Sequence, residues 1–215
     1  MAITPDSLNG VITLVNSSSV TFSHTVGTGN LLVVCAGSTR LLTGATYNGS
    51  AMSTAILNSP DGYRCSGIYY MKAPPTGAHN VVVSIAASNF FAAGSSSWNG
   101  VDQSTPFRNG GSYEASSGNS TSVDVTTLAN DVVIDCLSRY NTTTLTITGG
   151  QTLIAKNQTT ECLGTSYKLS VGVSTTVSWS LASGSLHVYV AAPMVPNVVA
   201  SGGIPGVGGL FLGKT

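Results

Sequence analysis

The chain has 215 residues, a formal net charge of zero and only 7% charged side chains, where an ordinary soluble domain carries about 25%. With 42% hydrophobic residues it can bury a sizeable core, as one large β domain or two small ones. The absence of a basic stripe argues against nucleic acid as a partner, and no run of about 18 apolar residues offers a membrane-spanning helix.

Serine and threonine fill about a quarter of the positions, so the surface is built of hydroxyls, amides and glycine. Such a surface lacks the charge that normally resists association, which fits either an exported protein or one packed against neighbours in an assembly. Met1 to Asp6 shows neither the basic nor the apolar region of a signal peptide. The expectation is a chain made and kept in a cytoplasm.

In chain order, Val11–Val15 is a short apolar run and Asn16-Ser17-Ser18 reads as a turn. Ser19–Val26 alternates, with Val20, Phe22, His24 and Val26 on one face. Leu31–Gly37 is continuously apolar, as a strand buried on both faces requires. Asn48-Gly49 between Ala45–Tyr47 and Ser50–Leu57 predicts a hairpin with a type I′ turn. Tyr63–Met71 is an aromatic strand, and His79–Ala86 with Asn89–Trp98 reads as an antiparallel pair.

The middle stretch, Ser97 to Phe107, has turn chemistry in Asn99-Gly100 and Asp102-Gln103. It reads first as a connection between two halves of a β domain. The second reading is an exposed loop whose Trp98, Asp102 and Phe107 form a contact surface. Ser112–Ser122 reads as loop. Thr121–Thr126 alternates cleanly, Asp131–Leu137 is a buried strand, and Leu145–Thr148 meets Gln151–Lys156 at a Gly149-Gly150 turn. Cys162–Leu169, Thr175–Leu181 and Leu186–Ala192 follow, the last apolar on both faces.

About a dozen short strands without helical periodicity predict an all-β fold, an antiparallel β-sandwich of jelly-roll type. The expected division is one sandwich over residues 1–192 and an extended Gly/Pro-rich arm over 193–215. The composition of that arm forbids a helix or a central strand. Its Ile204, Val207, Leu210, Phe211 and Leu212 are apolar enough to seat on a partner.

Chemistry-bearing motifs are few. Cys35, Cys65, Cys136 and Cys162 are far apart in sequence with no C-x-x-C, so they read as buried packing residues rather than zinc ligands or disulfides. His24, His79 and His187 stand singly in strands. No nucleophile elbow, zincin or phosphate-loop motif occurs, and the scattered acids propose no carboxylate pair. No catalytic residue, metal or cofactor is assigned. The aromatics, Trp98, Trp179, Tyr70 and Phe90-Phe91 among them, offer a sugar-stacking platform as a second reading, although adjacent pairs in a strand must point to opposite faces.

Four blocks carry a resemblance: Gly29–Val34, Tyr47–Met52, Tyr70–Val83 with its Ala73-Pro74-Pro75-Thr76-Gly77 core, and Trp98–Pro106. In pattern and order they resemble a group of β-sandwich proteins encoded by tailed bacteriophages and prophages, commonly among virion genes. The resemblance spans roughly Val11 to Ala192 and implies a non-enzymatic virion component, such as a capsid decoration subunit. Its partners would be copies of itself, or the major capsid or tail protein. The alternative it implies is a tail or fibre module that binds host-surface glycan. The extension after Pro193 departs from the group.

Overall fold

The computed structural model describes residues 1–9, 13–62, 64–115, 118–184 and 186–197, the side chains at 114 and 115 excepted. Ile204, Val207, Leu210, Phe211 and Leu212 lie outside the described residues. In chain order the strands are β1 (Thr4–Leu8), β2 (Thr13–Val26), β3 (Leu31–Ser38), β4 (Leu42–Tyr47), β5 (Ser50–Ala51), β6 (Ser53–Asn58), β7 (Cys65–Lys72) and β8 (Gly77–Asn99). They continue with β9 (Gly111–Ala115), β10 (Ser120–Thr126), β11 (Val132–Tyr140), β12 (Leu145–Ile147), β13 (Thr152–Asn157), β14 (Glu161–Leu169), β15 (Ser174–Leu181) and β16 (His187–Met194). The fold is all-β and antiparallel, as the sequence pattern requires.

The strands build the same sandwich twice. In the second half, one sheet runs β13-β14-β11-β16-β9 and the other β10-β15-β12. In the first half, β6-β7-β3-β8-β1 forms the five-stranded layer and β2-β8-β4 the smaller one, with β5 added beside β4. The order is the same, with residues 77–86 of β8 in the place of β15, residues 91–99 in the place of β16, and, by register, the start of β2 (Thr13–Val15 opposite Ala93–Phe91) in the place of β9, while β1 extends the same edge opposite Ser96–Asn99. Because β8 is continuous through both layers, the first half is a single curled, nearly closed sheet.

The registers match as well. Cys35 lies opposite Ile68 and Gly94, and Cys136 opposite Thr165 and Val190. β6 is bulged between Thr54 and Ile56 against β7, and β13 between Leu153 and Ala155 against β14.

The two sandwiches stack through their five-stranded layers, giving four layers and three cores. Leu32, Val34 and Ala36 of β3 point into the first sandwich, while Leu31, Val33 and Cys35 point the other way into the seam. β11 does the same, with Val133 and Leu137 inside its own sandwich and Val132, Ile134 and Cys136 in the seam. This is why both strands read as unbroken apolar runs, whereas β10, covered on one face only, alternates with Val123 and Val125 inward. The seam contacts are reciprocal: β7 rests on β16 and β11, and β14 on β8 and β3, with β3 against β11 at the centre. That is the pattern of an isologous dimer interface made within one chain.

Several expectations are corrected. There are two sandwiches in place of one, and residues 193–197 belong to the fold: β16 runs to Met194, and Asn197 N–H donates to the Gly100 carbonyl at 2.7 Å. Asn16–Ser18 is no turn, because β2 passes through it and absorbs the irregularity as a bulge between Ser17 and Ser19. Residues 79–86 and 89–98 are one strand and do not pair with each other; β2 runs beside both, its residues 13–17 against 89–93 and its residues 19–26 against 77–84. Ser112–Ser122, read as loop, carries most of β9 and the start of β10. The hairpin turn has φ of 48° at Asn48 and 77° at Gly49, as type I′ requires. All four cysteines are free and buried.

At the centre of the seam Gly37 faces its equivalent, Ser138. A Cβ on Gly37 would stand 2.4 Å from the Ser138 Cβ and 2.9 Å from Leu163 Cδ1. Gly37→Ala should therefore lower unfolding stability by about 1–3 kcal/mol through overpacking, read as a shifted denaturant midpoint. Adding Ser138→Gly should recover part of that loss, as residues in contact couple. Additive losses would show that the two residues do not meet.

Candidate functional site

The connection between the sandwiches runs from Gly100 to Gly110, and it is laid down as an extra edge beside the last residues of β16. Asp102 N–H donates to the Val195 carbonyl at 2.9 Å, Val195 N–H to the Pro106 carbonyl at 2.9 Å, and Arg108 N–H to the Pro193 carbonyl at 3.0 Å. Phe107 bridges to Met194. Gly100 turns the chain with φ of 74°, and a Cβ there would lie 2.3 Å from the Ala2 carbonyl oxygen, so only glycine fits. Asn30 closes this corner by donating from Nδ2 to the Val101 carbonyl at 2.8 Å.

Of the three residues expected at a contact surface here, Trp98 is corrected. It is fully buried, its Nε1 donates to Ser96 Oγ at 2.9 Å, and its ring stands edge-on to Tyr167 at 5.1 Å. It faces inward because Leu31, its neighbour across the ladder, is a seam residue. Trp179 is also fully buried, so a sugar platform built on the tryptophans does not exist. Asp102 is half-buried and caps the next turn: the N–H groups of Thr105 and Ser104 donate to its Oδ1 at 2.7 and 2.9 Å. These bonds hold its carboxyl below the usual range.

Phe107 is half-exposed and packs on Tyr70, ring centroids 5.1 Å apart and tilted by 51°. The two rings stand in a hollow of about 500 Å³ lined by Thr54, Ile56, Thr105, Arg108 and Asn109. A second hollow of about 580 Å³ lies across the 105–110 ribbon and reaches Asp124 and Thr126 of β10. Arg108 is fixed at the rim by Asp131, with Nε donating to Oδ2 at 2.8 Å. Asp131 is fully buried and also accepts from Leu128 N–H at 2.8 Å. Tyr70 was named among the aromatics of a sugar platform but not placed beside Phe107, and Arg108, Asn109 and Thr54 were not singled out by sequence. The one available signal was the Tyr69-Tyr70 pair: Tyr69 enters the first core, so Tyr70 must face out of it.

The remaining acids hold structure. Asp135 is fully buried and accepts from Ser166 Oγ (2.6 Å) and N–H (3.1 Å), Gln151 Nε2 (2.9 Å), Tyr189 OH (3.1 Å) and Trp179 Nε1 (3.3 Å). Burial raises its carboxyl to about 6 against the pull of those donors. Glu161 lies on the opposite face of the same sheet, toward the seam, and accepts from Ser138 Oγ at 2.9 Å. Burial pushes it up to about 8, with Ser138 and Arg64 pulling the other way.

Asp6 is held down near 2: burial works against it, but bonds from Thr28, Ser97 and Gly27 prevail. His24 sits against Ser95 Oγ at 2.8 Å, and burial lowers it to about 4 although Asp6 pulls it up. Among the described residues no three His, Cys, Asp or Glu side chains converge as a metal site.

No protein-family model, curated protein or solved structure matches the chain.

The buried acids set the pH response. A carboxyl raised by folding contributes stability in full below its unfolded value and loses it as pH rises through the folded one. Asp135 loses its share between about 4 and 6, Glu161 between 4.5 and about 8. His24 and Asp6 are lowered, so their shares are whole above 6.5 and 3.8 and are lost as pH falls toward about 4 and 2. Between pH 6.5 and 8 Glu161 carries most of the change, with only the ends of the His24 and Asp135 titrations beside it. Stability should fall there by about 2 kcal/mol, at ~1.4 kcal/mol per pH unit, and Glu161→Gln should flatten the slope. Equal slopes for both proteins in urea titrations at pH 6.5 and 8 would contradict this.

Proposed function

We propose that the chain is a non-catalytic structural subunit of a tailed-bacteriophage particle, of the capsid-decoration kind. The observation that carries this is the character of its two outermost faces. On β10 and β15 the outward positions are Ser120, Ser122, Asp124 and Thr126 opposite Ser180, Ser178, Thr176 and Ser174. On β2 they are Ser19, Thr21, Ser23 and Thr25, all exposed. These faces lie on opposite sides of a four-layer block, chemically alike and nearly free of charge. Strand surfaces without charge are poorly protected against association, which is tolerable in a subunit whose place is between neighbours. The resemblance of the Tyr47–Met52, Tyr70–Val83 and Trp98–Pro106 blocks to phage β-sandwich proteins supplies the setting. The acids support the same reading, since each described carboxylate discussed above holds a turn, a seam or a core network.

Attachment is assigned to the residues after Asn197, with Ile204, Val207, Leu210, Phe211 and Leu212 as apolar anchors on a shell or tail protein or a neighbouring copy. The boundary for testing it is Asn197, because a cut after Ala192 would remove the last two residues of β16.

Quantitative mass spectrometry of purified particles should find the full-length protein in fixed proportion to the major capsid protein. A chain ending at Asn197 should melt like the full-length protein and be lost from particles. Particles that lack the full-length protein overturn the virion role; full incorporation of the shortened chain overturns the attachment segment alone.

A further inference from the structure

The duplication supplies an internal control, since equivalent positions in the two halves can be compared directly. Tyr70 lies opposite Val33 of β3, and Tyr167 opposite Ile134 of β11, so the two tyrosines are equivalent. By the same ladders Trp98, opposite Leu31, corresponds to Met194, opposite Val132. Around Tyr167 the site is filled by the Trp98 ring. Around Tyr70 the equivalent residue is the narrow, unbranched Met194, and the aromatic neighbour is Phe107, brought in by the connection.

The bulged strand beside each tyrosine differs in the same sense. Ile154 and Ala155 of β13 are buried in the seam, while their counterparts Ala55 and Ile56 of β6 are only half-covered. One copy of the site is closed and the other is left as the hollow over Tyr70 and Phe107.

We infer that this hollow is a binding site for a neutral carbohydrate, with Tyr70 and Phe107 as its floor and Arg108, Asn109 and Thr54 as its hydrogen-bonding rim. Its volume lies in the range of small-ligand sites. The electron-rich faces of two tilted rings suit the C–H faces of a pyranose. Planar donor groups at the rim suit its vicinal hydroxyls, and Arg108 is already held in one orientation by Asp131, which lowers the cost of ordering it on binding. The ligand is neutral because the Arg108 charge is compensated by Asp131. The adjoining hollow adds a carboxylate, Asp124, which already accepts from Thr176 Oγ1. An acidic sugar would find no uncompensated cation there.

The test uses the isolated full-length protein, so it does not depend on the virion role. It is probed on a glycan array with separate neutral, carboxylated and sulfated arms, followed by calorimetric titration of the best neutral oligosaccharide. Neutral glycans should bind. Phe107→Ala should weaken binding at least tenfold and Asn109→Ala severalfold. Asn109 is exposed, so its variant should keep the parent melting temperature even if the Phe107 variant does not. Binding to none of the glycans, binding confined to the acidic arms, or affinities unchanged in both variants would overturn the site and leave the assembly role standing.

Discussion

Everything in this molecule depends on the face-to-face packing of two five-stranded sheets. A sandwich of five strands over three buries only the inner face of its larger sheet. In each half the outer face of that sheet carries Leu31, Val33 and Cys35, or Val132, Ile134 and Cys136. A fully buried aliphatic side chain of this size is worth about 1.5–3 kcal/mol, so neither half can leave that face in water. Two copies of one sandwich expose the same kind of face, and stacking them covers both. The price is crowding at the centre, where β3 meets β11 and Gly37 must stay without a side chain beneath Ser138.

Divergence between the copies then takes two forms. Inside the sandwiches, Val34, Val83 and Ala93 of the first half correspond to Asp135, Trp179 and Tyr189 of the second. The second core is thus organised by a buried carboxylate whose donors come from three strands and a turn, where the first is organised by apolar contact with Tyr47 and Phe91. A buried carboxylate is costly unless its hydrogen bonds are made, and here five are made. At the seam the replacement of a tryptophan by Met194 leaves room at one end only. The same architecture therefore has a closed aromatic cluster on one side and an open aromatic hollow on the other.

Much of the fold was legible in the chain. β3, β10 and β11 followed from their apolar patterns, and the Asn48-Gly49 turn from the need for positive φ. The duplication was not legible, because the shared residues follow no fixed period: Cys136 follows Cys35 by 101 residues and Cys162 follows Cys65 by 97. The loops absorb the difference while the ladders keep their register. β8 was read as two strands, His79–Ala86 and Asn89–Trp98, with only Ala87 and Ser88 between them, yet the first half keeps the strand intact as it passes between layers. The hollow was half visible. Phe107 stood out, but Tyr70, Thr54 and Arg108 meet it only through the stacking of the halves, and nothing local in sequence reports that. Trp98 stood out for the wrong reason: its neighbours are turn residues, and its burial is decided by Leu31 across the ladder.

The central claim is that the seam makes the two sandwiches one cooperative unit. Differential scanning calorimetry tests it most directly, by comparing the calorimetric enthalpy of unfolding with the van't Hoff enthalpy of the same transition. A shared core predicts one transition with the two enthalpies equal. Two resolved transitions, or a calorimetric enthalpy about twice the van't Hoff value, would mean that the halves fold independently and that the seam is only a contact between them.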